Sequence, residues 1–454
     1  MSAPRFPSEF LSIKQLEQIQ NDIVRDAKAD RDDQAWQGIQ SLMPAARRQE
    51  FVALAVVHLV GQGHFSVAQS LELLADVYEA QKQSADVLAL IGEALDRARD
   101  INILNAPPPE HPLFLNVTTA LAQLVGPARG SKNEIALLEG LATAARMLGR
   151  QRDELVEMSC KRLIELRPKN DSDHYNLGLF LKTRGRFREG MSANQTAESL
   201  LLLRRPESYE WNLGICATGA GEGAEALKVW KRLKQKIEMG RFDLPEGTYP
   251  QAKVRIAQRP LAERTAESDD PGQEESIWVE RLSPCHGIIR SVTVYDIGVD
   301  FGDVILFDGA PIIEQTYGEQ KIPVFPHLAT LRRNHYQRYN FAGTQEEARQ
   351  IHNIDLEWDA VVYSHTENFR NLCAQCWADP DINHAHHEAV DKHVVMGQIA
   401  APPDRDPREL LRQLDAAMAE LPGCSIYVPE LCLAADQPER AAVEERRFNM
   451  IRAN

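Results

Sequence analysis

Two five-residue stretches constrain this chain more than anything else in it. His174-Tyr175-Asn176-Leu177-Gly178 and Glu210-Trp211-Asn212-Leu213-Gly214 lie 36 residues apart, and each opens a segment of helical periodicity. A period in the mid-thirties is the length of one helix–turn–helix unit, which cannot bury its apolar face alone and stacks on its neighbour. The residues after each start agree. Gly185 and Phe187 come after the first, and Ala226 and Trp230 after the second. A small residue then a large one lets a second helix pack against the first.

These residues resemble the tetratricopeptide repeat family over about residues 135–240. In that family the Leu and Gly of the first helix (Leu177/Gly178 and Leu213/Gly214) permit close crossing, and the small residue of the second (Gly190 and Ala226) lies at the contact. Pro168 and Pro206 stand where a proline commonly closes a repeat, the second displaced by an insertion around Leu200–Arg205. Segment 151–167 fits as the second half of an earlier, degenerate repeat, with Val156 and Cys160 at the contact positions. The resemblance implies a groove lined by Tyr175, Leu179 and Lys182 from one repeat and by Trp211, Ile215 and Thr218 from the next. It implies another protein or a peptide as the ligand. Tyr175 and Leu179 occupy the places where chaperone-tail-binding members carry Lys and Asn, so a carboxylate clamp is not implied.

The rest of the chain reads as multidomain, α then α+β. From Ser12 to Gly240 apolar residues recur at helical spacing, as in Ile13, Leu16, Ile19 and Ile23, and this predicts an α-solenoid over 1–242. Breaks are expected at Gly61–His64, at the Pro107-Pro108-Pro109 run and at Gly126–Gly130. Ser131-Lys132-Asn133-Glu134 reads as a capping box opening helix 132–148. Residues 243–336 predict a β-rich domain, with strands at 253–257, 277–279, 288–295, 304–307 and 312–315 and a turn at Asp308-Gly309. The acidic stretch 262–275 reads as a solvated, flexible connection. Residues 337–454 predict strand 337–343, helix 345–353, strand 359–365, strand 393–400, helix 407–420, strand 424–428 and helix 438–452. That order is βαββαβ, a ferredoxin-like domain with an enlarged, Cys/His-rich central hairpin.

Chemistry concentrates in that hairpin. Cys373 and Cys376 stand two residues apart, followed by His384, His386, His387 and His393. A tight turn aims two such thiolates at one point, and two later imidazoles close a tetrahedral shell, so a structural Zn site is expected there. Ser283-Pro284-Cys285-His286-Gly287 is a second cluster. Adjacent residues of an extended chain face opposite ways, so Cys285 cannot readily use His286 as its base and would need one from elsewhere, such as His327 or His335; the alternative is a strand-entry turn with a buried Cys.

A formal charge of −15 argues against nucleic acid as a partner. No apolar run reaches the ~20 residues that cross a bilayer. With no signal-like hydrophobic start and seven scattered cysteines, the expected location is cytoplasmic. The function these features predict is a protein–protein interaction scaffold. The alternatives are a metal- or Cys/His-dependent enzyme whose repeats recruit substrate, and a regulatory or toxin-neutralising subunit.

Overall fold

A computed structural model describes residues 10–98, 110–201, 206–318, 320–357, 359–378, 381 and 389–452. Its helices are α1 (Ile13–Lys28), α2 (Asp32–Ala46), α3 (Glu50–Gly61), α4 (Val67–Gln81), α5 (Ala85–Ala94), α6 (Pro112–Val125), α7 (Glu134–Met147), α8 (Asp153–Leu166), α9 (Asp171–Thr183), α10 (Phe187–Leu200), α11 (Glu207–Gly219), α12 (Gly223–Arg232), α13 (Ala374–Ala378), α14 (Pro407–Ala419), α15 (Pro429–Ala434) and α16 (Pro438–Arg452). Its strands are β1 (Ile237–Met239), β2 (Pro245–Gly247), β3 (Ala252–Ala257), β4 (Glu274–Arg281), β5 (His286–Ile289), β6 (Val304–Phe307), β7 (Ile313–Tyr317), β8 (Gln320–Arg332), β9 (Gln337–Gln345), β10 (Val361–Cys373), β11 (Ala389–Ala401) and β12 (Ser425–Tyr427). A helical part is followed by a β-rich part. The chain forms two compact units, one of residues 1–247, 259–272 and 308–329, the other of 248–258, 273–307 and 330–454. The expected limits at 242 and 336 do not coincide with the points where the chain passes from one unit to the other.

In the first unit α1 to α12 succeed one another along the chain, and among the described residues before Gly240 the strand content is the three-residue β1. The Pro107–Pro109 run and residues 202–205 lie outside the described residues. One apolar cluster runs from Leu11 to Leu181, and the seven buried residues of α3 make it a central helix. Ser12 with Gln15 and Ser66 with Gln69 form capping boxes on α1 and α4. Ser131 does not open α7. The helix starts at Glu134, whose carboxylate accepts the Gly130 N–H and pairs with Arg162 at 2.7 Å. Glu134 is therefore committed to the neighbouring helix and cannot close a box.

The repeats pack as their signatures require. At Gly214 a Cβ would lie 2.6 Å from Trp230 Cη2, so the indole of α12 rests directly on the backbone of α11. Asn212 donates to Asn194 Oδ1 at 2.9 Å and Asn194 donates to Gly190 O at 2.7 Å, a buried amide chain linking α11 to α10. Ion pairs Arg184–Asp153 and Arg186–Glu157, each 2.6 Å, join the turn after α9 to α8.

The stretch 262–275, read as a solvated connection, is mostly exposed or half-buried, and Asp269 within it is tied to the helices. The Arg150 guanidinium, 6% exposed, donates to Leu261 O and to Thr183 O, and pairs with Asp269 at 3.3 Å. The Arg150 N–H donates to Asp269 Oδ2 at 2.7 Å. Asp269 thus serves as a ligand for the ends of the helices rather than as part of a solvated run.

In the second unit β3, β4, β5 and β6 pair antiparallel in sequence order. The strand expected over 288–295 stops at Ile289, because the amides beyond it bond to side chains. Thr293 N–H and Phe301 N–H donate to Asp300, and Val294 N–H donates to Glu275. A second sheet has the order β10-β11-β9-β12 with each adjacent pair antiparallel. Leu410, Leu411 and Leu414 of α14 and Leu431 of α15 bury against it. That strand order suits the expected split βαβ arrangement, but its first helix is absent: residues 346–353 form turns. Gln350 accepts the amides of Glu346 and Glu347, Glu367 that of Arg349 and Gln345 that of Ile351. With those donors taken by side chains and Arg349 at φ 63°, no i→i−4 ladder forms. The two-helix layer of a ferredoxin-like domain is therefore incomplete. β10 and β11 are 13 residues each, so both flanks of what reads as a Cys/His excursion, 366–373 and 389–392, continue the strands of one long hairpin.

Candidate functional site: the shared face of α9 and α11

Lys182 and Trp211 stand on the first helices of consecutive repeats, and what lies between them is a segment of the same chain. Lys182 Nζ meets Asp308 Oδ2 at 2.6 Å, with both side chains 5% exposed. Burial works against the Lys182 charge, and the Asp308 carboxylate outweighs it, so the ammonium holds its proton above the ordinary lysine range. Asp308 Oδ1 accepts the Ala310 N–H at 3.1 Å, which folds Asp308-Gly309-Ala310 into a tight turn. Gly309 then lies flat on the Trp211 ring. A Cβ there would come within 2.9 Å of Trp211 Cε3 and 3.8 Å of Ile215 Cδ1. Trp211 is braced from behind by Trp230, edge-on at 5.4 Å. The segment continues into the antiparallel hairpin β7–β8, pinned to its own other arm by Asp308 N–H to Pro326 O and Ile312 N–H to Val324 O.

Of the six residues expected to line a groove, Lys182, Trp211 and Ile215 come together around this turn. Tyr175 is half-buried and stacks on Tyr209 at 4.2 Å, 6° from parallel, while Tyr209 donates to Asp171 at 2.8 Å. Thr218 is buried and donates to Gly214 O of its own helix, and Leu179 is half-buried. Asp308 and Gly309 are the site residues that the sequence does not offer as such. Their signal, an Asp-Gly pair, reads only as a turn.

The Cys/His cluster lies largely outside the described residues: His384, His386 and His387, and the side chain of Cys376, are not among them. Cys373 ends β10 opposite Ala389, and α13 begins at once. His393 is four residues farther along β11, about 13 Å at the rise of a strand, and stacks on Phe369 at 4.7 Å. It is too far along the ladder to share an ion with Cys373. Among the described residues no group of three or more His, Cys, Asp or Glu converges as a metal shell would.

Ser283, Cys285 and His286 are fully buried. Ser283 Oγ lies 2.5 Å from His286 Nδ1 and accepts the amides of Cys285 and His286, which makes it the hub of a strand-entry turn. Burial pulls the His286 pKa down to about 4, so the ring is neutral, and Nδ1 shares a hydrogen bond with the Ser283 hydroxyl. This contact ties His286 to Ser283 and not to Cys285, as expected for neighbours on an extended chain. Elsewhere in the second unit a cleft of about 380 Å³ is lined by Arg290, Phe301, His352 and Tyr363, with His352 Nδ1 accepting the Ser364 amide at 3.1 Å.

No helix among the described residues is long and apolar enough to cross a membrane. No family model matches the chain. No curated protein matches it either. Among solved structures, MamA AMB-1 aligns at 17% identity over 49% of this chain and 92% of its own, with a TM-score of 0.27. Another crystal structure of MamA aligns at 17% identity over 41% of this chain and 98% of its own, with a TM-score of 0.28. Similarity at that level leaves the internal geometry of the repeats as the ground for a functional reading.

Proposed function

We propose that this chain is a protein-binding scaffold whose helical repeats take an extended segment of another protein on the face shared by α9 and α11. The observation that supports it is the seating of Asp308-Gly309 there: one buried cation and one braced indole grip a backbone turn. Desolvated charge and an aromatic anchor are what carry affinity at peptide interfaces. The acidic balance of the chain favours a partner with basic or neutral flanks. The test is to isolate a stoichiometric complex from the native source and map it by amide exchange. Added protection in α9–α12 supports the reading, and a complex that leaves those helices unchanged overturns it.

A second element of the proposal is a structural Zn ion at the end of the β10–β11 hairpin, held by Cys373 and Cys376 with two of His384, His386 and His387. Its support is the chain path: β10 ends at Cys373 and α13 places residue 376 one turn on. Metal analysis of the purified chain tests it. One equivalent of Zn lost in Cys376→Ser supports the site, and a metal-free chain with an ordered hairpin ends it.

A further inference from the structure

The turn Asp308-Gly309-Ala310 occupies the face that the proposed scaffold would use, and it does so with the chemistry of a ligand. We propose that residues 308–312 are a built-in competitor for that face, and that the partner it excludes presents an acidic residue followed by glycine. This rests on the scaffold reading and specifies its partner.

Three observations carry it. First, recognition is narrow. The carboxylate of Asp308 reaches Lys182, and Gly309 fits because it has no side chain to strike Trp211. A residue with a carboxylate and then none is what this face reads. Second, apart from the buried Asp308 and Ile312 and the two backbone bonds to Pro326 and Val324, the segment buries little. Pro311, Glu314, Thr316 and Gly318 are exposed or half-exposed, as are Ile313 and Gln315, so beyond Asp308, Gly309 and Ile312 little apolar surface is lost on opening. Elements with few buried contacts open below the global unfolding free energy. Third, Lys182 is buried and charged. When the turn leaves, that ammonium is hydrated, and an anion that re-enters the face restores the desolvated pair seen here. An acidic-Gly segment of a partner supplies the anion.

A tethered segment acts at an effective concentration of order mM, so an added peptide competes poorly with it until the tether is disabled. Gly309→Val disables it without changing any residue of the face. The probe is a fluorescent synthetic peptide with the sequence of residues 304–312. The full-length Gly309→Val chain should bind it at least ~10-fold more tightly than the unaltered chain, and a peptide with Asn in place of its Asp should not bind. No gain in affinity by a folded Gly309→Val chain overturns the proposal. Should that variant fail to fold, amide exchange on the unaltered chain decides. Amides of Gly309, Ala310 and Ile312 exchanging at least ~10-fold faster than the core of α9 and α11 support a competitor, whereas exchange only with global unfolding makes the turn a permanent strut and overturns it. Either failure leaves the scaffold reading standing if the native partner still protects α9–α12.

Discussion

Breaking one partner of the Lys182–Asp308 pair should cost more than removing both. The 2.6 Å contact is 5% exposed on either side, so Lys182→Met leaves a buried carboxylate with one amide for company, and Asp308→Leu leaves a buried ammonium with none of its carboxylate contact. Removing one member of a buried pair costs about 3–5 kcal/mol, while replacing both with apolar groups of similar volume is often neutral or stabilising. The double variant Lys182→Met/Asp308→Leu should therefore recover most of the loss. Because the Lys182 pKa is raised, its contribution is present at all pH values below the ordinary lysine pKa of 10.5 and is lost only as pH rises through the raised value. A cycle measured at pH 7 thus reports the intact pair. Denaturant unfolding followed by helix signal gives the four free energies, and a loss of this size corresponds to a shift on the order of 10 °C in thermal midpoint. Single substitutions that each cost under about 1 kcal/mol and add in the double variant would refute the buried-pair reasoning.

Other outcomes rest on particular contacts. Gly214→Ala should destabilise the repeats by about 1–3 kcal/mol, since its Cβ would meet the Trp230 ring at 2.6 Å; unchanged unfolding would mean the indole yields freely. Arg150→Gln should speed amide exchange in 259–272 before the helices respond, because Leu261 O loses its donor and Asp269 its ion pair; unaltered exchange there would show the segment is held by other means. His286 is held neutral with a pKa of about 4 against an ordinary 6.5, so it contributes stability above pH 6.5 that is lost as pH falls toward 4, about 3 kcal/mol in all. His286→Gln should flatten that acid limb of the stability profile, and an identical limb would place the proton uptake elsewhere.

The features legible in sequence are those encoded by local spacing. Leu213-Gly214 and Trp230 lie within one repeat, and the structure packs Gly214 and Trp230 on each other. Helices α14 and α16 are legible from local signals too, an apolar stripe in the first and a proline at the start of each. What is not legible depends on side chains that intercept backbone donors from a distance. Gln345, Gln350 and Glu367 convert an expected helix at 345–353 into turns, and Asp300 and Glu275 end β5 early. The face of α9 and α11 is placed by the repeat pattern. Its occupant is not, because Asp308 is remote in sequence from Lys182 and no periodicity links them.

The interleaved chain path also bears on the order of synthesis. The repeats are complete at Arg232, but their unit takes its last segments from 259–272 and 308–329. At roughly 5–20 residues per second, several seconds pass between the emergence of α12 and of Asp308 from a ribosome. Throughout that interval Lys182 and Trp211 face solvent with their turn not yet made, and the nascent helices present a tacky, charged surface. A translation pause in this stretch would lengthen that exposure. A messenger ending near codon 247 would make it permanent, giving a fragment that clumps with its siblings or clings to whatever chaperone is at hand.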